Sequence, residues 1–439
     1  MLIQKLKAVS SCVFLVWCSH FAGTAYGQLA YEKEPIAYLK SEPTDRMARL
    51  IQEIESGEVR FEYSAQHGWL PSLLEALEID ERSQLLVFSK TSLQLRKISP
   101  KRPRALYFND DAYVGWCQGG DFLEVAVADK DLGAVFYTLD QENSEQPIVK
   151  RDRGQCLSCH ANHRTQDVPG FVVRSIHPDF NGRPRTGTRT YVTDHTSNFG
   201  KRFGGWYVTG EHGDMRHMGN VFAEDRLNPE ELDRDAGANK TQLQGLCNTE
   251  PYLTGHSDLV ALMVLEHQTQ MHNYIARASI EARIARHYDQ GINEALKRPL
   301  NHQSDSTKRR IAAAGEDLVR YMLFADEVQL TSPITGSTEF QSYFESAEHP
   351  EAKTDRHGRS LRELDMKTRM FKYPCSFLIY SEAFEALPNR MNEWVRSRLS
   401  EILLSEEVVE GYENLDGKTR QAIVEILAET KPGYLKTKG

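Results

Sequence analysis

The sequence predicts an α+β protein, with a small antiparallel β-domain, a loop-rich middle segment and a helical C-terminal half. Three observations carry this. Residues 84–140 break into short runs rich in Val, Phe and Tyr, parted by Pro, Asn-Asp and Gly-Gly-Asp turn signals. Residues 150–255 are poor in helix formers and rich in Gly, Thr and Arg. From His256 onward, apolar residues recur at helical spacing. At 40% hydrophobic and 26% charged over 439 residues, the chain can fill a core, which excludes a disordered or collagen-like polymer. A net charge of −9 argues against a dedicated nucleic-acid binder, whose domain would be basic.

Taken in order, the chain opens with Lys5 and Lys7, an apolar run from Val13 to Trp17 and small residues Ala22–Ala25 before Gln28. That is the layout of a secretory signal peptide over residues 1–27, too short to span a membrane. An exported, periplasmic protein is therefore expected. A lipid anchor at Cys18 is the rival, and the bulky Trp17 before it stands against such processing. In the segment 28–149, Met47, Leu50, Ile51 and Ile54 predict a helix that stops at Gly57. Strands are expected at 84–89, 105–108, 112–117, 122–128 and 134–139, with Trp116 and Phe136 facing inward. In the segment 150–255 only 171–176 and 206–209 look strand-like. The segment 256–439 predicts helices at 256–288, 307–328, 375–386, 389–404 and 417–430, with a short one around Phe340–Phe344.

The sharpest motif is Cys156-Leu157-Ser158-Cys159-His160. C-x-x-C-H is the spacing of c-type haem attachment. Two thiols three positions apart can form thioethers with the two vinyl edges of one porphyrin, and the next residue, His160, offers the iron its proximal nitrogen. Attachment takes place outside the cytoplasm, so the motif and the signal peptide support each other. The competing uses are a thioredoxin-like dithiol, for which the preceding 150–155 stretch lacks a strand-to-helix setting, and a zinc site with His163. No second C-x-x-C exists to complete a zinc ribbon.

In Cys156, Cys159 and His160 the chain resembles the c-type cytochromes. Further stretches, Arg104-Ala-Leu-Tyr-Phe-Asn-Asp110, Gly204-Gly-Trp-Tyr-Val-Thr-Gly210 with His212-Gly213, and Phe371-Lys-Tyr-Pro-Cys-Ser376, are similar to an uncharacterised family of exported bacterial proteins with a single cytochrome c domain. The resemblance implies one haem c and electron transfer, without a finer activity. The chain departs from the di-haem peroxidases in having no second C-x-x-C-H.

The far side of the iron separates two expectations. A low-spin carrier needs a Met or His there, whereas an open position permits ligand binding or peroxidase-like chemistry. Met215, His217 and Met218, with His212 in the same stretch, lie at the distance along the chain where short cytochromes c place the ligand. His267 and His272 sit on the helix expected from His256, whose apolar run Leu259–Leu265 predicts burial; there the alternative is that its polar residues tie two parts of the protein together. A haem sensor or a subunit of a respiratory complex is the third class.

Charge is uneven. Residues 150–202 hold ten Lys and Arg against four Asp and Glu, a net of +6, which leaves −17 on the rest of the chain after residue 27. Arg183, Arg185, Arg189 and the indole of Trp206 are the expected partners of haem propionates. The remaining positive charge would steer an acidic redox partner. Beyond the motif, Cys117, Cys247 and Cys375 are an odd set, with one disulfide possible and Cys375 expected to be buried.

Overall fold

A computed structural model describes residues 29–435 apart from residue 226; the expected signal peptide lies outside the described residues. The architecture is mixed α+β. Its centre is a six-stranded antiparallel meander, β1 (Leu85–Val87), β2 (Arg104–Phe108), β3 (Ala112–Trp116), β4 (Phe122–Asp129), β5 (Gly133–Asp140) and β6 (Val149–Arg151), in simple sequence order. The five predicted strands are present within a residue or two. β6 is an addition, because it is short and half-buried and carries no apolar alternation.

Turn chemistry sets this meander. Asn109 accepts from the Ala112 amide at 2.9 Å and closes β2 to β3. Asp129 accepts from the Asp131 and Leu132 amides at 2.8 and 2.9 Å and closes β4 to β5, with Gly133 at φ 78° completing the turn. Gly133 is needed for a second reason: a Cβ there would stand 2.4 Å from the Pro169 carbonyl, which accepts the Ala134 amide at 2.9 Å. The loop after the C-x-x-C-H motif is thereby sewn to β5.

On β4 the sides alternate strictly. Leu123, Val125 and Val127 are buried in the core, and Glu124 and Ala126 face the other way, half-buried. Register places Leu106, Gly115, Glu124 and Thr138 in one row across β2–β5, and Tyr113, Ala126 and Phe136 in the row beside it.

The C-terminal half is helical, as expected. Its axis is a helix of 37 residues, Leu259–Ala295, some 55 Å long at about 1.5 Å per residue. Every residue from Leu259 to Asn273 is buried. Helices Asp305–Met322 and Asn389–Leu403 pack against it and Gly417–Thr430 packs on Asn389–Leu403, and the predicted 375–386 helix is instead a 3₁₀ turn, Phe377–Tyr380, followed by one α turn, Glu382–Glu385. The sequence segments 28–149, 150–255 and 256–439 share one contiguous hydrophobic core that runs from Tyr31 to Leu427. No helix among the described residues is long and apolar enough to cross a membrane.

Asp258 caps the long helix and locks it to the C-terminal part. Its Oδ1 accepts from the Val260 and Ala261 amides at 2.8 and 3.2 Å, and Oδ2 accepts from the Ser337 and Thr338 amides at 2.7 and 2.8 Å. Ser257, just before it, donates to the Tyr207 carbonyl and accepts from the Leu86 amide, bridging helix start and β1. Asp258→Ala is expected to cost about 2 kcal/mol or more, since a cap and two further amides lose their acceptor in a buried place. Urea unfolding checks it: a loss under about 0.5 kcal/mol counts against this role.

Candidate functional site

A cavity of about 410 Å³ lies between the outward face of the sheet and the C-x-x-C-H turn. That volume falls in the range of roughly 300–1,000 Å³ usual for cofactor and small-molecule sites. Cys156, Cys159 and His160 line one part; Arg104, Leu106, Gly115, Glu124, Ala126, Phe136 and Thr138 line the sheet side. Trp206, Leu265 and Thr269 also reach it.

The motif folds into a single helical turn, Leu157–His160, following a loop in which Asp152 accepts the Gly154 and Cys156 amides at 2.9 and 3.0 Å. His160 Nδ1 is 3.0 Å from the Gly170 carbonyl, its ring lies 4.9 Å from that of Phe136, and its Nε2 has no hydrogen bond among the described residues. Such a carbonyl contact fixes the tautomer and orientation of a ligating imidazole. Burial holds the imidazole below its ordinary pKa, keeping it in the neutral form that binds metals. Gly170 is itself held from the long helix: Asn273 accepts from the Phe171 amide and donates to the Phe171 carbonyl, both at 2.8 Å. A side chain on Gly170 would meet Asn273 Oδ1 at 2.3 Å.

Tests of fit to a haem come from atoms left over. Arg174 borders the cavity, its Nε is buried without a partner, and among the described residues no ion pair involves it or the exposed Arg164 that also lines the cavity. Burial and the neighbouring Arg164 charge both lower the Arg174 pKa, so the pair is short of an anion. Carboxylates of a porphyrin would supply it. Among the described residues no three His, Cys, Asp or Glu are placed to share a metal ion, so Cys156, Cys159 and His163 gain no fourth ligand for zinc. A haem iron needs only one or two protein ligands.

Several expected residues lie elsewhere. Met215, His217 and Met218 do not line the cavity: Met218 Sδ accepts from Ser175 at 3.8 Å, His217 Nδ1 accepts from the Gly219 amide at 3.0 Å, and the His217 ring packs edge-on or tilted against Phe199, Phe203 and His212. His267 is also absent from the lining. Its Nδ1 meets His195 Nδ1 at 2.9 Å and its Nε2 meets Ser376 Oγ at 2.8 Å, deep in the helical half. His272 Nε2 reaches the Asp110 carbonyl at 2.8 Å, tying the long helix to the β2–β3 turn. The reason is architectural: a sheet forms the wall where a short cytochrome would bring up its methionine loop. Arg183 and Arg189 are exposed away from the lining, and Arg185 donates to the Ala223 carbonyl at 2.8 Å. Trp206 does line the cavity, but its indole N–H donates to the Arg174 carbonyl at 2.8 Å. Cys117, Cys247 and Cys375 form no disulfide, and burial pushes the Cys375 thiol up to about 12.

Sequence reasoning passed over Arg104, Glu124, Arg164, Arg174, Gly115 and Asn273. The one available signal was a Glu in the apolar alternation of β4 with an Arg opening β2, a pattern that by itself reads as a solvent face.

Next to the cavity, Glu266 is fully buried, with Oε1 unpartnered and Oε2 3.4 Å from Arg202 Nη1, whose guanidinium also donates to the Ser197 and His195 carbonyls. Burial pushes this carboxyl up to about 8 against the pull of Arg202. A raised acid pKa means that the native state holds a proton the unfolded chain has lost. Its stabilisation is full below about pH 4.5 and disappears as pH rises to about 8. Glu266→Gln is expected to flatten that decline, measured as the urea midpoint at about pH 5 and about pH 8; an unchanged decline speaks against a neutral Glu266.

Comparison of the chain with protein-family models, with curated proteins and with solved structures gives no match.

Proposed function

We propose that this is an exported c-type haem protein that carries one haem on Cys156 and Cys159, takes His160 as its iron ligand, and leaves the opposite coordination position open. The carrying observation is the 410 Å³ cavity beside the motif, bordered by His160 as its one imidazole and by no methionine among the described residues. The other candidate donors on its wall are engaged. Lys90 Nζ donates to the Leu95 and Ile98 carbonyls, Tyr113 OH accepts from Gln268, and Tyr137 OH donates to Asp45. Arg164 and Arg174 would hold the propionates. A haem in this place supplies a one-electron couple and a Lewis-acidic iron. What the chain contributes is a fixed imidazole, a half-enclosed wall and two unneutralised guanidinium groups.

An open position favours a haem oxidoreductase or ligand-binding role over simple electron carriage, and a chain of 439 residues is far larger than the about 100 that a compact domain requires. Electrons would be exchanged with a partner that is acidic near the haem edge, met by exposed basic residues such as Arg153.

Expression in a host that matures c-type cytochromes tests this. One haem per chain should survive a denaturing gel, and Cys156→Ala with Cys159→Ala should abolish it. The ferric wild type should be high-spin, and Met215→Leu with Met218→Leu should leave that spectrum unchanged. No covalent haem would sink the proposal; a low-spin spectrum that depends on either methionine would return the protein to the carrier class.

A further inference from the structure

We propose that Arg104 and Glu124 form the polar wall of a binding site for a small, weakly acidic molecule of the hydrogen peroxide class, which enters the cavity neutral and gives up a proton there. The inference rests on the haem reading above and adds the ligand and the residues that meet it.

Arg104 opens β2 and Glu124 lies on β4, and both side chains turn to the cavity. Arg104 Nη1 donates to Glu124 Oε2 at 2.5 Å, and Ser92 Oγ donates to Oε1 at 2.6 Å. The two side chains are only 16% and 17% exposed, and Arg104 Nε is buried without a partner. A buried ion pair of this kind seldom stabilises more than an apolar pair of similar volume. The same wall already carries Leu106, Ala126 and Phe136, so stability alone gives no reason for charge here. Gly115 is the cross-strand neighbour of Glu124, and a Cβ on it would sit 3.5 Å from Arg104 Cδ and from Glu124 Oε2. Glycine therefore leaves the pair uncovered. Both side chains and His160 line the same cavity.

The chemistry follows from the two groups. As the O–H bond of the incoming molecule opens, its electron pair stays on oxygen and the proton moves to the Glu124 carboxylate. The Arg104 guanidinium then holds the anion with charge-assisted hydrogen bonds. This step needs no oxidant or reductant.

Hydrogen cyanide, a weak acid of the same kind, and fluoride, which arrives already as an anion, separate the two roles. Both are titrated into the ferric holoprotein and followed by absorbance, with covalent haem per chain as the control for folding. Arg104→Lys, which keeps the charge but loses the fork, should weaken fluoride by about tenfold. Glu124→Gln should not weaken fluoride but should slow cyanide association by about 100-fold. Variants that bind both probes like the wild type overturn the inference, as does a wild-type holoprotein that binds neither. A chain without covalent haem overturns the haem reading itself, and full haem with an iron indifferent to both probes overturns its open position, whereas full haem with variants that bind both probes like the wild type removes only the proposal made for Arg104 and Glu124.

Discussion

The two hydrogen bonds between the Asn273 carboxamide and the backbone of Phe171 are the constraint on which the site depends. They fix an irregular loop to a rigid, buried helix, and through Gly170 they fix the His160 imidazole. Loops lack the ladder that gives a strand its position, so an imidazole on a loop is only as well aimed as whatever holds the loop. Here a helix holds it on one side, and the Pro169 carbonyl to the Ala134 amide holds it on the other. The motif is therefore suspended between sheet and helical half, and the cavity is the space that this suspension leaves.

The long helix can do this because its polar residues are aimed at backbone. Gln268 donates to the Asn109 carbonyl and the Tyr113 hydroxyl, and His272 meets the Asp110 carbonyl, so the β2–β3 turn is pinned by the same element that pins the loop after the motif. Burying Gln, His and Asn in a helix would be costly without partners. With them, the helix becomes a register between parts of the chain far apart in sequence. His267 differs, since its ring meets the side chains of His195 and Ser376.

Charge around the motif divides in the same manner. Part of the positive excess in residues 150–202 serves architecture. Arg151 donates to the Tyr38 and Ser41 carbonyls, Arg185 to the Ala223 carbonyl, and Arg202 to the Ser197 and His195 carbonyls. Arg164 and Arg174 are left without acids at the cavity, which is the arrangement expected where an anionic group is to be held.

How much of this was legible depends on the range of the interaction. Local patterns settled the meander, because Asn-Asp and Gly-Gly-Asp turns and period-two alternation act over a few residues, and they settled the longer helices from Leu259 onward in the same way, though not 375–386. The C-x-x-C-H spacing is also local, since it spans five residues. The far wall was not legible. Glu124 and Arg104 alternate with buried residues as an exposed face would, and only the tertiary fold lays the 155–174 segment over that face and makes it the inside of a cavity. Distance along the chain likewise pointed to Met215, His217 and Met218, but spacing predicts a contact only when the fold between is known. Sequence by itself determined most of the elements and singled out the C-x-x-C-H motif. Tertiary structure alone decided what faces His160, because that depends on which side of a sheet a distant loop comes to cover.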